Sequence, residues 1–186
     1  MRLKVFRFKK VTSTNSTAIR IIKNTNYQNG MVISDMQTKG RGQYGKKWIS
    51  LKGNLFVSFF YNLENINFSL SKLTRLNCLL IKGLIETYYK KNILYKKPND
   101  LLIERKKICG ILQETVKKSD HKFLIVGVGL NLIKNPIIKN YKTTNLFELI
   151  KKRIPKNKIE MNLKTIFENG ISKIHSIWCG SLTCSY

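Results

Sequence analysis

The chain has 186 residues, of which 35 are lysine or arginine and 10 are aspartate or glutamate, so its formal net charge is +25. This length suits one well-cored domain but not two large ones, and no run approaches the roughly 20 apolar residues of a membrane-spanning helix. The basic excess is typical of proteins that bind nucleic acid, yet the lysines are scattered along the chain, so compositional drift explains the charge equally well.

The cysteines and the N-terminal segment bear on the compartment in which the protein works. Cys78, Cys109, Cys179 and Cys184 include no Cys-x-x-Cys pair and no zinc-finger spacing. Cys78 and Cys109 lie within apolar runs, so we expect buried, reduced thiols. The first ten residues lack the apolar core of about 7–15 residues that a signal peptide needs. These observations predict a cytoplasmic protein.

Hydrophobic patterns predict the elements of the first third of the chain. Leu3–Val11 alternates as a strand does, and the polar cluster at 12–15 supplies an N-terminal cap for a short helix. A brief strand follows over Met31–Ser34, and the aromatic and β-branched residues of Asn54–Tyr61 predict a buried strand. Between these two strands, the glycine density over Gln37–Trp48 excludes a regular element.

The rest of the chain predicts one long helix, four strands and two further helices. Leucines that recur every three to four residues define one face of a helix over about Ser71–Tyr89. The other predicted elements are strands over Ile93–Lys97 and Leu101–Ile103, an antiparallel pair over Lys107–Val116 and Phe123–Leu132, and helices over Thr144–Arg153 and Met161–Ile177. Because strands outnumber helices and follow one another as hairpins, the predicted class is α+β, with a mixed, largely antiparallel sheet and helices packed on one face.

The loop Gln37–Trp48 has the most unusual composition. Its twelve residues hold three of the eleven glycines, four basic side chains, one of the two tryptophans and no acid. Such a loop surrounds a ligand with backbone N–H groups and positive charge, which suits a phosphate or carboxylate. We therefore expect an anionic small molecule to bind there. The alternative is an RNA-contacting arginine–glycine segment.

This loop is the second of four separated motifs that follow one another in a fixed order. They are Ser13-Thr14-Asn15, Gly40-Arg41-Gly42-Gln43-Tyr44-Gly45-Lys46-Lys47-Trp48, Lys96-Lys97-Pro98-Asn99-Asp100, and Lys107-Ile108-Cys109-Gly110-Ile111-Leu112 with Gly127-Val128-Gly129-Leu130-Asn131. Singly each motif is weak, and the first also suits a plain helix cap. Together they resemble the catalytic domain of biotin–protein ligases, over about residues 12–131 and again at 143–146. The resemblance implies the fold shared by class II aminoacyl-tRNA synthetases and biotin ligases.

The resemblance also implies an activity. Members of that family activate biotin with ATP and Mg²⁺ to biotinyl-5′-AMP and pass the biotin to one lysine of a biotin carboxyl carrier protein or carrier domain, as in acetyl-CoA carboxylase. The first step brings a carboxylate against a phosphate, and cationic donors lower the barrier between two such anions. The implied partners are biotin, ATP and the carrier, without a membrane or a specific nucleic acid, and a homodimer is left open.

For the site, the resemblance implies two catalytic cations, Arg41 and Lys107, and one candidate magnesium ligand, Asp100. The residues implied for biotin are Ser13, Thr14, Asn15, Gln37, Gly40, Arg41, Lys107 and Gly110. The residues implied for the nucleotide are Gln43, Lys46, Trp48, Asn99, Asp100, Gly127, Gly129 and Asn131. Arginine presents a planar fork of donors and lysine a compact charge, so the two cations are not interchangeable.

The chain departs from the family pattern at several points. Lys97 stands where the family usually has tryptophan, Gln43 where many members have a second arginine, and Lys39 where a small residue is usual. We expect one catalytic domain over residues 1–186, with no N-terminal helix-turn-helix domain and no C-terminal SH3-like barrel.

Two other functions stay open on the sequence. One is a lipoate or octanoate protein ligase or transferase of the same fold. The other is a non-catalytic, basic nucleic-acid-binding module, which the charge of +25 suggests.

Overall fold

The computed structural model describes residues 2–64, 66 and 68–180, and within them seven strands, four α-helices and a short 3-10 helix over Gln43–Gly45. The strands are β1 (Lys4–Phe8), β2 (Asn29–Ser34), β3 (Leu55–Asn62), β4 (Leu94–Lys96), β5 (Asp100–Ile103), β6 (Lys106–Lys118) and β7 (His121–Leu130). The helices are α1 (Thr14–Asn24), α2 (Leu70–Glu86), α3 (Leu146–Ile150) and α4 (Lys156–Gly180). No helix among these residues is long and apolar enough to span a membrane.

The seven strands form one sheet in the order β1-β2-β3-β7-β6-β5-β4. The β1–β2 pair is parallel and the other five pairs are antiparallel. At its centre, β6 and β7 form a long hairpin that turns between Lys118 and His121. The predicted mixed, largely antiparallel sheet is therefore confirmed.

Helices cover both faces of this sheet. On one face, α1 places Ala18 and Ile22 against Phe60 of β3. On the other face lie α2 and α4, where the ring of Phe167 stacks on that of Phe59 with 3.7 Å between centroids. The expectation that the helices pack on one face is wrong. Strands that are covered on both faces carry a continuous apolar run, whereas strands covered on one face alternate apolar and polar residues.

The last two helices differ most from their predicted limits. The helix predicted over Thr144–Arg153 spans only Leu146–Ile150, where Asn145 caps it by accepting from the N–H of Glu148. The following helix begins at Lys156, directly after Pro155, and not at Met161. Proline fixes a backbone angle that suits the entry of a helix, so the earlier start follows from the sequence.

Candidate active site

A cavity of about 380 Å³ lies where the loop between β2 and β3 crosses the central strands. Among the described residues that line it, eight are basic and one, Asp100, is acidic. The basic residues are Arg41, Lys46, Lys47, Lys96, Lys97, Arg105, Lys107 and Lys142. So one-sided a lining favours a ligand with several negative charges.

Most of the residues implied by the resemblance meet at this cavity. Those that line it are Ser13, Thr14, Asn15, Gln37, Arg41, Gln43, Lys46, Trp48, Asn99, Asp100, Lys107, Gly110, Gly127 and Gly129. Gly40 and Asn131 do not line it. A Cβ on Gly40 would lie 2.5 Å from the carbonyl oxygen of Trp48, so Gly40 serves the packing of the loop. Asn131 is buried and donates to the carbonyl of Thr144 at 3.0 Å.

One end of the cavity is neutral and hydrogen-bonded. Gln37 Oε1 accepts from the N–H of Thr14 at 2.8 Å and from its hydroxyl at 3.1 Å. The buried Ser58 hydroxyl lies 2.8 Å from Thr14 Oγ1 and 2.5 Å from Asn15 Oδ1. Ser13 precedes α1 but makes no side-chain cap, so the plain helix-cap interpretation does not hold. Sequence analysis missed Ser58, although a serine amid the buried aromatic residues of β3 was the available signal.

Arg41 is held by an acid that the sequence analysis also missed. Its Nη1 and Nη2 donate to the two carboxylate oxygens of Glu114, at 2.9 and 2.7 Å. Asn15 Nδ2 donates to Glu114 at 2.7 Å and to the carbonyl of Leu112 at 3.2 Å. Glu114 lies on β6, so its carboxylate joins the loop and α1 to the sheet. The sequence feature that could have indicated Glu114 is that acidic residues are rare in this basic chain.

Lys107 lies among one acid and two aromatic rings. Its Nζ is 2.7 Å from Asp100 Oδ1, and the two side chains are 18% and 23% exposed. The same ammonium lies 5.5 Å from the ring centroid of Trp48 and 5.5 Å from that of Tyr141. A largely buried charge needs such partners, because isolated burial is costly.

Two glycines make room for the Trp48 ring. Gly110 and Gly129 are paired across β6 and β7. A Cβ on Gly110 would lie 2.8 Å from Trp48 Cζ3, and one on Gly129 would lie 2.5 Å from Cζ2. Gly127 similarly admits the amide of Asn15. The buried indole N–H of Trp48 has no partner among the described residues, so a donor is free for a ligand acceptor.

Comparison with known proteins places this constellation in a family. The model of the biotin/lipoate A/B protein ligase family matches residues 5–131. The chain belongs to this family.

Named relatives agree with the family assignment. The chain is 31% identical over 128 residues to the bifunctional ligase/repressor BirA of Bacillus subtilis and 32% identical over 102 residues to that of Escherichia coli. These matches cover 68% and 54% of the chain, but only 39% and 32% of the relatives. The biotin protein ligase from Aquifex aeolicus in complex with biotin and ATP superposes with a TM-score of 0.79 at 27% identity, covering 93% of this chain and 72% of that one.

Several residues on the cavity wall of this biotin/lipoate ligase family member were given no role by the sequence. Tyr44, Lys47, Lys96 and Lys97 stand within the quoted motifs, whereas Arg105, Tyr141 and Lys142 lie outside all of them. Lys97 precedes Pro98 through a cis peptide bond. No sequence signal distinguished Lys142 from the many other lysines, because the whole chain is rich in lysine.

The family member offers little of its own to a metal ion. Among the residues that the structure describes, no three His, Cys, Asp or Glu side chains cluster in a way that would hold one. Asp100 is a lone carboxylate and is paired with Lys107. Mg²⁺ accepts one or two carboxylates when substrate phosphates supply other oxygens, so Asp100 fits an ion that arrives with a nucleotide.

Proposed function

We propose that the chain is an ATP-dependent biotin–protein ligase, which forms biotinyl-5′-AMP and transfers biotin to a lysine of a carrier domain. The observation that carries the proposal is one cavity with a neutral hydrogen-bonded end at Thr14 and Gln37 and a cationic end around Lys107. A neutral ureido ring suits the first end, and phosphates suit the second.

The activation step needs charge neutralisation more than a protein nucleophile. A carboxylate oxygen of biotin attacks the α-phosphorus of ATP, an oxygen–phosphorus bond forms, and the bond to pyrophosphate breaks. Lys107 presents a compact charge between the two reacting anions. Arg41 grips an oxyanion with its fork once that oxyanion displaces Glu114 or shares the guanidinium with it. Asp100 would hold a Mg²⁺ ion that arrives with the nucleotide, and the ion would supply neutralisation of the phosphate charge.

Transfer then uses the reactive mixed anhydride. The neutral amine of the carrier lysine attacks the acyl carbon, an amide bond forms, and AMP leaves. The loop over the cavity is joined as a hairpin by hydrogen bonds from Gly42 to Lys46 and from Trp48 to Gly40. A closed loop excludes water, which would otherwise hydrolyse the intermediate.

One catalytic domain carries this activity and acts on a biotin carboxyl carrier protein. A cytoplasmic location suits the free, buried Cys78 and Cys109. A homodimer is compatible with the proposal, and sedimentation of the purified protein decides it.

One assay tests the proposal directly. Incubation with biotin, ATP, Mg²⁺ and a biotin carrier domain should label the carrier, detected with streptavidin, and pyrophosphate exchange should depend on biotin. Parallel reactions with lipoate or octanoate and a lipoyl carrier domain, read as a gain in the mass of the carrier, test the related acyl groups. Labelling by lipoate or octanoate without labelling by biotin would assign the protein to the lipoate or octanoate ligases of the family. Absence of all labelling at high enzyme concentration would overturn both.

A further inference from the structure

Besides the ring of the expected nucleotide residue Trp48, a second aromatic ring, that of Tyr141, contacts the ammonium of Lys107. Both ring centroids lie 5.5 Å from Lys107 Nζ. This is within the roughly 6 Å over which an ammonium is attracted to an aromatic face. Because the Lys107 side chain is only 18% exposed, water weakens these contacts little.

The backbone fixes this ring relative to Lys107. The N–H of Lys107 donates to the carbonyl of Lys142 at 2.9 Å, and the N–H of Thr144 donates to the carbonyl of Lys107 at 3.0 Å. Thr143 Oγ1 donates to the carbonyl of Pro136 at 2.5 Å, which closes the loop that carries Tyr141. The residue that bears the ammonium thus also anchors the segment that bears the ring.

Tyr141 lies on the cavity wall but outside the residues 5–131 that match the family model. Its side chain is 43% exposed, so core packing does not explain its placement. Tyr27 provides a comparison elsewhere in the chain. Its ring lies 5.9 Å from Lys4 Nζ and is 41% exposed, but it does not line the cavity.

We infer that Tyr141 is a positioning residue for Lys107: together with Trp48 it holds the ammonium at the place where the two reacting anions meet. The inference rests on the proposed function, because it concerns the charge used in adenylate formation. A tyrosine that only bordered the nucleotide would affect ATP binding. One that positions Lys107 affects turnover.

Kinetics separate these two roles. Tyr141→Leu should lower kcat for adenylate formation roughly three- to tenfold, the loss of one shielded cation–π contact, with KM for ATP changed less than about twofold. Tyr141→Phe should keep the rate, and the matched control Tyr27→Leu should leave both constants unchanged. In a Lys107→Ala background, Tyr141→Leu should have no further effect. A raised KM with unchanged kcat, or additive losses in the double variant, would overturn the inference.

A spectroscopic measurement decides the contact without any activity. Reductive ¹³C-methylation of the lysines, with Lys107→Arg to assign the signal, reports the ring current at Lys107 Nζ. The chemical shift of that signal should change in Tyr141→Leu and in Tyr141→Gln, and should be unchanged in Tyr27→Leu. An unmoved signal would refute the contact. If the wild-type protein forms no adenylate while the signal moves, the proposed function fails and the contact stands.

Discussion

Both carboxylate oxygens of Glu114 meet the terminal nitrogens of Arg41, at 2.9 and 2.7 Å. Paired hydrogen bonds of this kind are also how an arginine grips a carboxylate or phosphate. An anionic ligand must therefore displace Glu114 or share Arg41 with it. The position of the loop over the cavity depends on a carboxylate that belongs to the sheet.

Glu114→Gln should loosen the loop. The amide keeps the shape of the side chain but loses the charge, so one of the two strong hydrogen bonds to Arg41 is lost. Because the pair is partly exposed, we expect a modest effect, roughly two- to fivefold faster trypsin cleavage after Lys46 and Lys47. Glu86→Gln on α2 removes the same charge far from the cavity, where the partner is Lys82 at 3.6 Å, and serves as the control. Equal cleavage rates in both variants would contradict the role given to Glu114.

Lys107→Ala should slow adenylate formation at least about tenfold, because it removes the charge between the reacting anions. Lys107→Arg should restore little of the rate of adenylate formation, since the guanidinium is larger and planar. Biotin-dependent pyrophosphate exchange measures both. Lys82→Ala, which removes a lysine on α2, should be as active as the wild type. An unchanged rate in Lys107→Ala would remove this residue from the catalytic group.

Ser58→Ala should weaken biotin binding and destabilise the protein. It removes a fully buried hydroxyl that lies within hydrogen-bond distance of Thr14 and Asn15. Leaving buried partners unsatisfied costs about 1–3 kcal/mol. Urea unfolding gives the stability, and the KM for biotin gives the binding effect. Ser71→Ala, at an exposed position of α2, is the matched control and should change neither. An unaltered KM for biotin would show that this hydroxyl serves the fold only.

Gly129→Ala should displace Trp48. A Cβ there would lie 2.5 Å from Trp48 Cζ2, closer than two carbons approach in proteins. We expect a loss of about 1–3 kcal/mol in unfolding free energy and a lower affinity for ATP. Gly83→Ala makes the same change in α2, where nothing lies within 4 Å of the new carbon. That variant should be more stable by about 0.5–1 kcal/mol, since alanine favours a helix. Native ATP affinity in Gly129→Ala would refute the packing argument.

Cys78 should resist alkylation in the native protein. Burial raises the pKa of its thiol from 9.0 to about 12, and the negative charge of Asp100 acts in the same direction. Since the thiolate is the reactive form, iodoacetamide should label native Cys78 at a rate that still rises with pH above 9. In urea, where Cys78 is exposed, the labelling rate should stop rising with pH once the pH exceeds the ordinary pKa of a thiol. Peptide mass spectrometry measures both, and rapid labelling of the native protein at pH 8 would contradict the burial.

The sequence by itself determined the family pattern, the order of the strands along the chain and the motifs that supply most of the cavity wall. Spacing and composition suffice for these, because glycine density, hydrophobic periodicity and ordered motifs are local properties of the chain. The predicted long helix, for instance, appears as α2 over Leu70–Glu86.

Only the tertiary structure decided which side chains meet. Glu114 is 73 positions from Arg41, and Ser58 is 44 from Thr14, so no local pattern pairs them. Only the structure shows that helices cover both faces of the sheet, because this depends on the packing of α1 on β3. The same holds for Tyr141 and Lys107, which are brought together by a loop that pairs with β6. Distant contacts depend on strand order and register, which a single sequence does not specify.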